Sequence, residues 1–179
     1  ISEHSVAARL EAFMREHGSE RPAFTTIVAS GVRGSLPHGT ASEKLLVAGE
    51  FVTMDYGSVY QGYHSDITRT VVLGEASEKQ KELYHAVLQA QKLGVQRLRV
   101  GASGKEVDRA VRDCLMKDGY AEYFGHGLGH SVGLEIHEEP RLSPKSKAER
   151  LEEGMVITVE PGVYLPNWGG LRIEDTVLL

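Results

Sequence analysis

The chain has 179 residues, 41% hydrophobic and 25% charged, with a formal net charge of −5. That is enough for one domain with a packed core, in the composition range of ordinary globular proteins. Both signs of charge are spread along the chain, so no basic stripe points to nucleic acid. No uncharged run approaches the ~20 apolar residues of a membrane span.

The one cysteine, Cys114, cannot close an internal disulfide. A buried core thiol in a reducing, cytoplasmic compartment is the expectation. The chain begins with Ile in helical pattern and stops at Leu179 in strand pattern. It reads as a fragment of a longer protein.

Residues 2–17 carry the pattern of an amphipathic helix. Ser2 is its cap, Val6, Leu10, Phe13 and Met14 its stripe, and Gly18 its stop. Residues 22–32 read as a strand around Thr25, Thr26, Ile27 and Val28. The loop GSLPHGT, residues 34–40, holds His38 beside Pro37. A lone loop histidine is usually only solvated.

Residues 50–73 form a hairpin pattern. A turn centred between Tyr60 and Gln61 would set Asp55 directly opposite Asp66. Opposed antiparallel residues share a face, with Cβ atoms about 5 Å apart. Two like charges there repel unless a cation lies between them. The competing reading is two solvent-facing acids in a slipped register.

Two helices follow. Ser77-Glu78-Lys79-Gln80 is a capping box, with an apolar stripe of Leu83, Tyr84, Val87, Leu88 and Leu98. A second box, Ser103-Gly104-Lys105-Glu106, opens a helix whose face is Val107, Ala110, Val111, Cys114 and Leu115, with Gly119 at its end.

The stretch FGHGLGHSVGLEIHEEP, residues 124–140, holds three of the eight histidines: His126, His130 and His137. Two histidines four apart would suit a zinc-binding helix. Here Gly125, Gly127, Gly129 and Gly133 intervene. Each glycine costs a helix about 1 kcal/mol relative to Ala. A loosened strand or loop that brings backbone close to a ligand fits better, against a turn bearing solvated histidines.

Residues 141–153 are polar, with Pro144 among them, and read as a surface loop. Residues 155–164 and 171–179 then form a second hairpin pattern. Centred on Asn167, it sets Glu160 opposite Glu174. Both acids interrupt apolar runs, and carboxylates are almost never buried unpaired. Each half of the chain thus offers a hairpin with two acids, as in a two-fold arrangement around a shared site.

Asp55, Asp66, Glu160, Glu174 and His130 make four carboxylates and one imidazole. The set is too anionic for a single zinc. It suits two divalent cations with bridging carboxylates: manganese first, with cobalt, iron or zinc as alternatives. Two such ions about 3.5–4 Å apart serve hydrolysis. The chain has no Gly-rich phosphate loop and no G-x-S-x-G, so phosphoryl transfer and serine hydrolysis score low.

The blocks MDYG, HSDITRT, GHGLGHSVGLEIHE, VEPGVY and GGLRIED, in this order, resemble the proline-specific peptidases of the methionine aminopeptidase and prolidase superfamily. The match runs from about Ala23 to Leu179. It implies the α/β (α+β) "pita-bread" fold, a pseudo-two-fold antiparallel sheet flanked by helices, with residues 1–179 as one metallopeptidase catalytic domain. By the same resemblance Asp55 chelates one metal and Asp66 and Glu174 bridge two. His130 and Glu160 complete the other site, and Glu160 is also the general base and acid.

The resemblance further implies that His38 binds substrate near the scissile bond. His137 steadies the substrate carbonyl, and His126 lines the proline side. Arg172 orients the ligands. GLEIHEE and LPHGTASEK resemble Xaa-Pro dipeptidases and aminopeptidase P more than methionine aminopeptidases, where HGD would replace His64-Ser65-Asp66. Hydrolysis of the bond preceding proline, in a proline-containing peptide, is therefore expected. The alternatives are a methionine aminopeptidase or a non-catalytic module of this fold. Such peptidases carry an N-terminal domain that helps form a homodimer and the cleft. The expectation is that this chain is a fragment lacking that domain and the extreme C-terminus, with impaired substrate selection and activity.

Overall fold

The computed structural model describes residues 1–146 and 150–179. In chain order the elements are α1 (Glu3–Glu16), β1 (Arg21–Pro22), β2 (Ile27–Ser30), β3 (Phe51–Tyr56), β4 (Ser58–Tyr60), β5 (Tyr63–His64) and β6 (Ile67–Val72). These are followed by α2 (Glu78–Arg97), α3 (Gly104–Lys117), β7 (Gly129–Ser131), β8 (Glu138–Leu142), β9 (Val156–Val159), β10 (Gly162–Leu165), β11 (Gly169–Arg172) and β12 (Asp175–Leu178).

Two antiparallel arrays repeat one plan. The first runs β2-β3-β6, and the second contains β12-β9-β7 with β8 added at its edge. In each, a hairpin is flanked by one further strand. The two halves present their hairpins to each other, which is the pseudo-two-fold sheet of the pita-bread class.

Local chemistry starts and stops the helices. Ser2 Oγ accepts from Ser5 N at 3.2 Å, and Gly18 takes φ +100° beyond α1. The α2 capping box forms as read, with Gln80 Oε1 accepting from Ser77 N at 2.8 Å. The second box does not: Ser103 makes no side-chain cap to α3. Gly119, at φ +77°, ends that helix.

The main core lies between α2, α3 and the second array. Leu83, Val87, Val111, Leu115, Leu128, Ile157, Val159 and Leu171 are all fully buried in it. Each such side chain contributes about 1.5–3 kcal/mol. A smaller cluster of Ala7, Val28 and Val52 seals α1 to the first array. Phe13, read as part of the α1 stripe, is exposed. The apolar face of α1 is covered only toward Ala7, Val6 and Leu10.

Three further expectations need correction. The strand read over 22–32 is only Ile27–Ser30, followed by a 3-10 turn over Gly31–Ser35. Gly31 turns the chain at φ +55°, and a Cβ there would lie 2.2 Å from the Glu50 carboxylate.

In the first hairpin Asp55 pairs with Thr68, not with Asp66. The tight turn falls on Gln61 and Gly62, both at positive φ, one position later than read. The register therefore moves by two, and a shift of two keeps residues on the same face. Asp66 sits diagonally from Asp55 rather than opposite.

The segment 141–153, read as a surface loop, begins within β8 and buries Leu142 and Leu151. Its residues 147–149 lie outside the described residues.

The second hairpin has the register read for it. Gly162 pairs with Arg172 and Val159 with Asp175, about a turn in which Asn167 takes φ +59°. Its ladder is interrupted between these pairs, at Glu160-Pro161 and Ile173-Glu174.

Candidate metal centre

The acids occupy matching places in the two hairpins. Asp55 lies near the end of β3 and Glu160 just after β9. Asp66 lies just before β6 and Glu174 just before β12. At a strand end the ladder no longer claims every backbone group, and side chains of two sheets can converge. His130 is in the middle of β7, where a bulge between His130 and Ser131 re-aims the strand. Gly129 allows that strand its close approach, since a Cβ there would fall 1.9 Å from Thr158 O.

The five side chains meet. Ligand atoms of Asp55, Asp66 and Glu174 all lie within 4.8 Å of one another. His130 Nε2 is 3.5 Å from Asp66 Oδ2 and 3.4 Å from Glu160 Oε1. Asp55, Asp66, His130 and Glu174 are buried. Arg172 Nη2 donates to Asp55 Oδ2 at 2.5 Å, and its Nε lies 4.0 Å from Glu160 Oε2. Thr68 Oγ1 donates to Glu174 Oε2 at 2.6 Å and Thr158 Oγ1 to Glu160 Oε1 at 3.2 Å.

One guanidinium does not balance four carboxylates. Burial pushes the Asp55 carboxyl up to about 6 despite the Arg172 charge, and the Glu160 carboxyl up to about 7. Glu174 is raised well above the ordinary range, by burial and then by its acidic neighbours. Burial opposes the charging of His130, but its hydrogen bond to Asp66 and the charge of Glu160 outweigh this and raise it.

Asp55 Oδ1 and Glu174 Oε1 are buried without a hydrogen-bond partner among the described residues. Buried carboxylate oxygens are costly unless paired or ligating. Two orphaned oxygens aimed into a knot of hard oxygen donors and one imidazole fit divalent cations.

The remaining residues singled out line the same cleft, a cavity of about 1480 Å³ that also reaches Phe24, Ile136, Arg141 and Lys145. The His137 ring is 4.4 Å from the His130 ring, edge to face. Burial, then the neighbouring His130, lowers its pKa. His38 also lines the cleft and is exposed.

His126 is held on both ring nitrogens: Nδ1 lies 2.8 Å from Gly127 O and Nε2 2.8 Å from the Tyr164 hydroxyl. Burial lowers its pKa to about 4, so the ring is neutral. A consistent proton assignment follows. Arg172 Nη1 donates to the Tyr164 oxygen at 2.8 Å. The Tyr164 hydroxyl donates to His126 Nε2, and His126 Nδ1–H donates to Gly127 O.

Sequence reasoning missed Thr68 and Tyr164. Thr68 is two residues after Asp66, hence on the same face of its strand. Tyr164 has Gly162 two residues before it, where a Cβ would sit 2.4 Å from its hydroxyl. That alternation of glycine and tyrosine was the available signal.

The model of metallopeptidase family M24 matches residues 1–179. An Xaa-Pro dipeptidase of Pyrococcus horikoshii is 53% identical over 177 residues, which cover 99% of this chain and 50% of that protein. Among solved structures, a prolidase from Pyrococcus furiosus superposes with a TM-score of 0.98 at 52% identity, over 100% of this chain and 53% of that one. An X-Pro aminopeptidase from Thermotoga maritima does so with a TM-score of 0.97 at 45% identity, over 100% and 51%. The chain spans about half the length of the curated relatives it matches. None of its described helices is long and apolar enough to cross a membrane.

Proposed function

This chain belongs to metallopeptidase family M24, and we propose that it is the catalytic domain of a peptidase that hydrolyses the bond preceding proline. The substrates are Xaa-Pro dipeptides or longer peptides with proline second. The observation that carries the reading is the convergence of Asp55, Asp66, Glu174, His130 and Glu160, with the Asp55 and Glu174 oxygens left orphaned. Those five residues would hold two divalent ions, manganese by preference for the oxygen-rich donor set. Such ions would acidify water and polarise a carbonyl.

The chain's own groups do the rest. Glu160, beside His130 at the edge of the set, takes the proton of the attacking water and returns it to the leaving nitrogen. That nitrogen belongs to the proline ring and departs only once protonated. His38 and His137, which line the cleft, hydrogen-bond the substrate, His38 near the scissile bond and His137 at the carbonyl. The neutral His126 and Tyr164 form a fixed polar edge on the proline side. Arg172 holds Asp55 in place and ties it to that edge. The single cysteine suits a reducing, cytoplasmic setting, and the longer protein to which this domain belongs is expected to dimerise.

The test is hydrolysis of an Xaa-Pro dipeptide and an Xaa-Pro tripeptide with added manganese. Cleavage abolished by chelator and by Glu160→Gln supports the reading, and the preferred length selects dipeptidase or aminopeptidase. Failure to bind metal would remove its basis.

A further inference from the structure

Glu3 is fully buried in the first turn of α1, far in sequence from the acids of the metal centre. It is not a lone charge. Its Oε1 accepts from Ser30 N at 2.7 Å and Ser30 Oγ at 2.9 Å. Its Oε2 accepts from Ser42 Oγ at 2.7 Å, Ser42 N at 3.1 Å and Arg33 Nε at 3.0 Å. Burial alone would raise its carboxyl, yet these donors outweigh burial and hold it below the ordinary range. It is therefore an ionised anchor with both oxygens saturated.

The partners of Glu3 bracket one segment. Ser30 ends β2 and Ser42 follows the loop that carries His38. Arg33 passes the tether inward, because its Nη2 donates to Thr40 O at 2.5 Å. From the other side Arg172 Nη1 donates to Pro37 O at 3.1 Å. The backbone of His38 thus hangs between two arginines. One is also bonded to Asp55 of the metal centre and the other to Glu3. His38 is exposed, and its loop is held by its own backbone bonds, by the Thr40 bridge to Ile27 and by these two side-chain contacts to Pro37 O and Thr40 O.

We infer that Glu3, acting through Arg33, is a positioning residue that sets His38 against the substrate. The inference rests on the substrate-facing role given to His38 above. A helix acid that only stapled α1 to β2 would need the Ser30 bonds alone. The bonds to Ser42 and Arg33 serve the loop.

The experiment is a double-mutant cycle on the manganese-loaded protein, read alongside hydrogen exchange. Glu3→Gln keeps the shape and loses the charge, and Arg33→Met cuts the tether at a side chain that is partly exposed and so cheaper to change. Each is expected to lower kcat/KM about tenfold, and His38→Ala more; in the His38→Ala background neither adds a further loss. Exchange of the amides in residues 36–42 should rise about tenfold in both variants, with Phe51–Tyr56 unchanged. Multiplicative losses in the double mutants, or unchanged exchange in residues 36–42, overturn the inference. If the parent cleaves no Xaa-Pro peptide, the proposed function fails, while the exchange data still decide whether Glu3 holds the loop.

Discussion

Arg172 and Asp55, 117 residues apart, are joined by a 2.5 Å bond from guanidinium to carboxylate. The bond ties the second hairpin to the first at the point where their acids meet. The same guanidinium donates to Thr68 Oγ1 at 3.1 Å, the Tyr164 hydroxyl at 2.8 Å and Pro37 O at 3.1 Å. An ammonium cannot reproduce that fork.

Arg172→Lys should therefore loosen Asp55 without unfolding the chain. The expected result is a loss of metal affinity of about 10–100-fold, measured by calorimetric titration with manganese. Unchanged affinity would mean that Arg172 does not orient the ligands.

The raised carboxyls give the metal-free protein a defined pH dependence. Asp55 is pushed to about 6, Glu160 to about 7, and Glu174 also upward, against ordinary values of about 4. A carboxyl raised on folding favours the folded state while protonated. That contribution is complete below about pH 4 and is lost as pH rises through about 6 to 7. The thermal midpoint of chelator-treated protein should therefore fall between about pH 5 and about pH 8. Manganese should restore it strongly at the higher pH and weakly at the lower, since cations displace those protons. Differential scanning calorimetry at the two pH values checks both signs.

Glu160→Gln separates chemistry from stability. Removing a proton carrier of this kind costs about 10²–10⁴ in rate. The metal-free variant should nevertheless melt higher than the metal-free parent above the Glu160 pKa of about 7, because a carboxylate disfavoured by burial is gone. Melting curves with chelator, set beside a peptide-hydrolysis assay, read the two effects. A lower midpoint would show that Glu160 is stabilising even without metal.

Gly129→Ala tests the close approach of β7 to β9. The added methyl would lie 1.9 Å from Thr158 O, a backbone atom that cannot swing aside. Overpacking of this kind costs about 1–3 kcal/mol. Chemical denaturation should show it, together with weakened metal binding through the displaced His130. Wild-type stability would mean that the two strands separate freely.

Much of this was legible in the chain. Ser77 with Gln80 marks the start of α2, and Gly18 and Gly119 mark helix ends, because caps and positive-φ glycines act within a few residues. Asn167 centred the second hairpin correctly, so Glu160 and Glu174 were placed on one face before any tertiary contact was known. The first hairpin went astray by two residues. Gln61 at φ +49° is a poor turn signal beside the glycines around it. Asp55 and Asp66 still reached the same site, because a two-residue slip preserves the face.

The helices, the paired-acid hairpins and the family blocks could be read from the chain alone, since each rests on periodicity or on near neighbours. What those acids do to one another depends on packing. The raised carboxyls, the orphaned oxygens of Asp55 and Glu174 and the Arg172–Asp55 bond arise when the two halves are packed together, and the Glu3 anchor when α1 packs on β2 and the loop after it. Desolvation and hydrogen-bond supply depend on what surrounds a group in space. Residues as many as 117 positions away along the chain set that environment here.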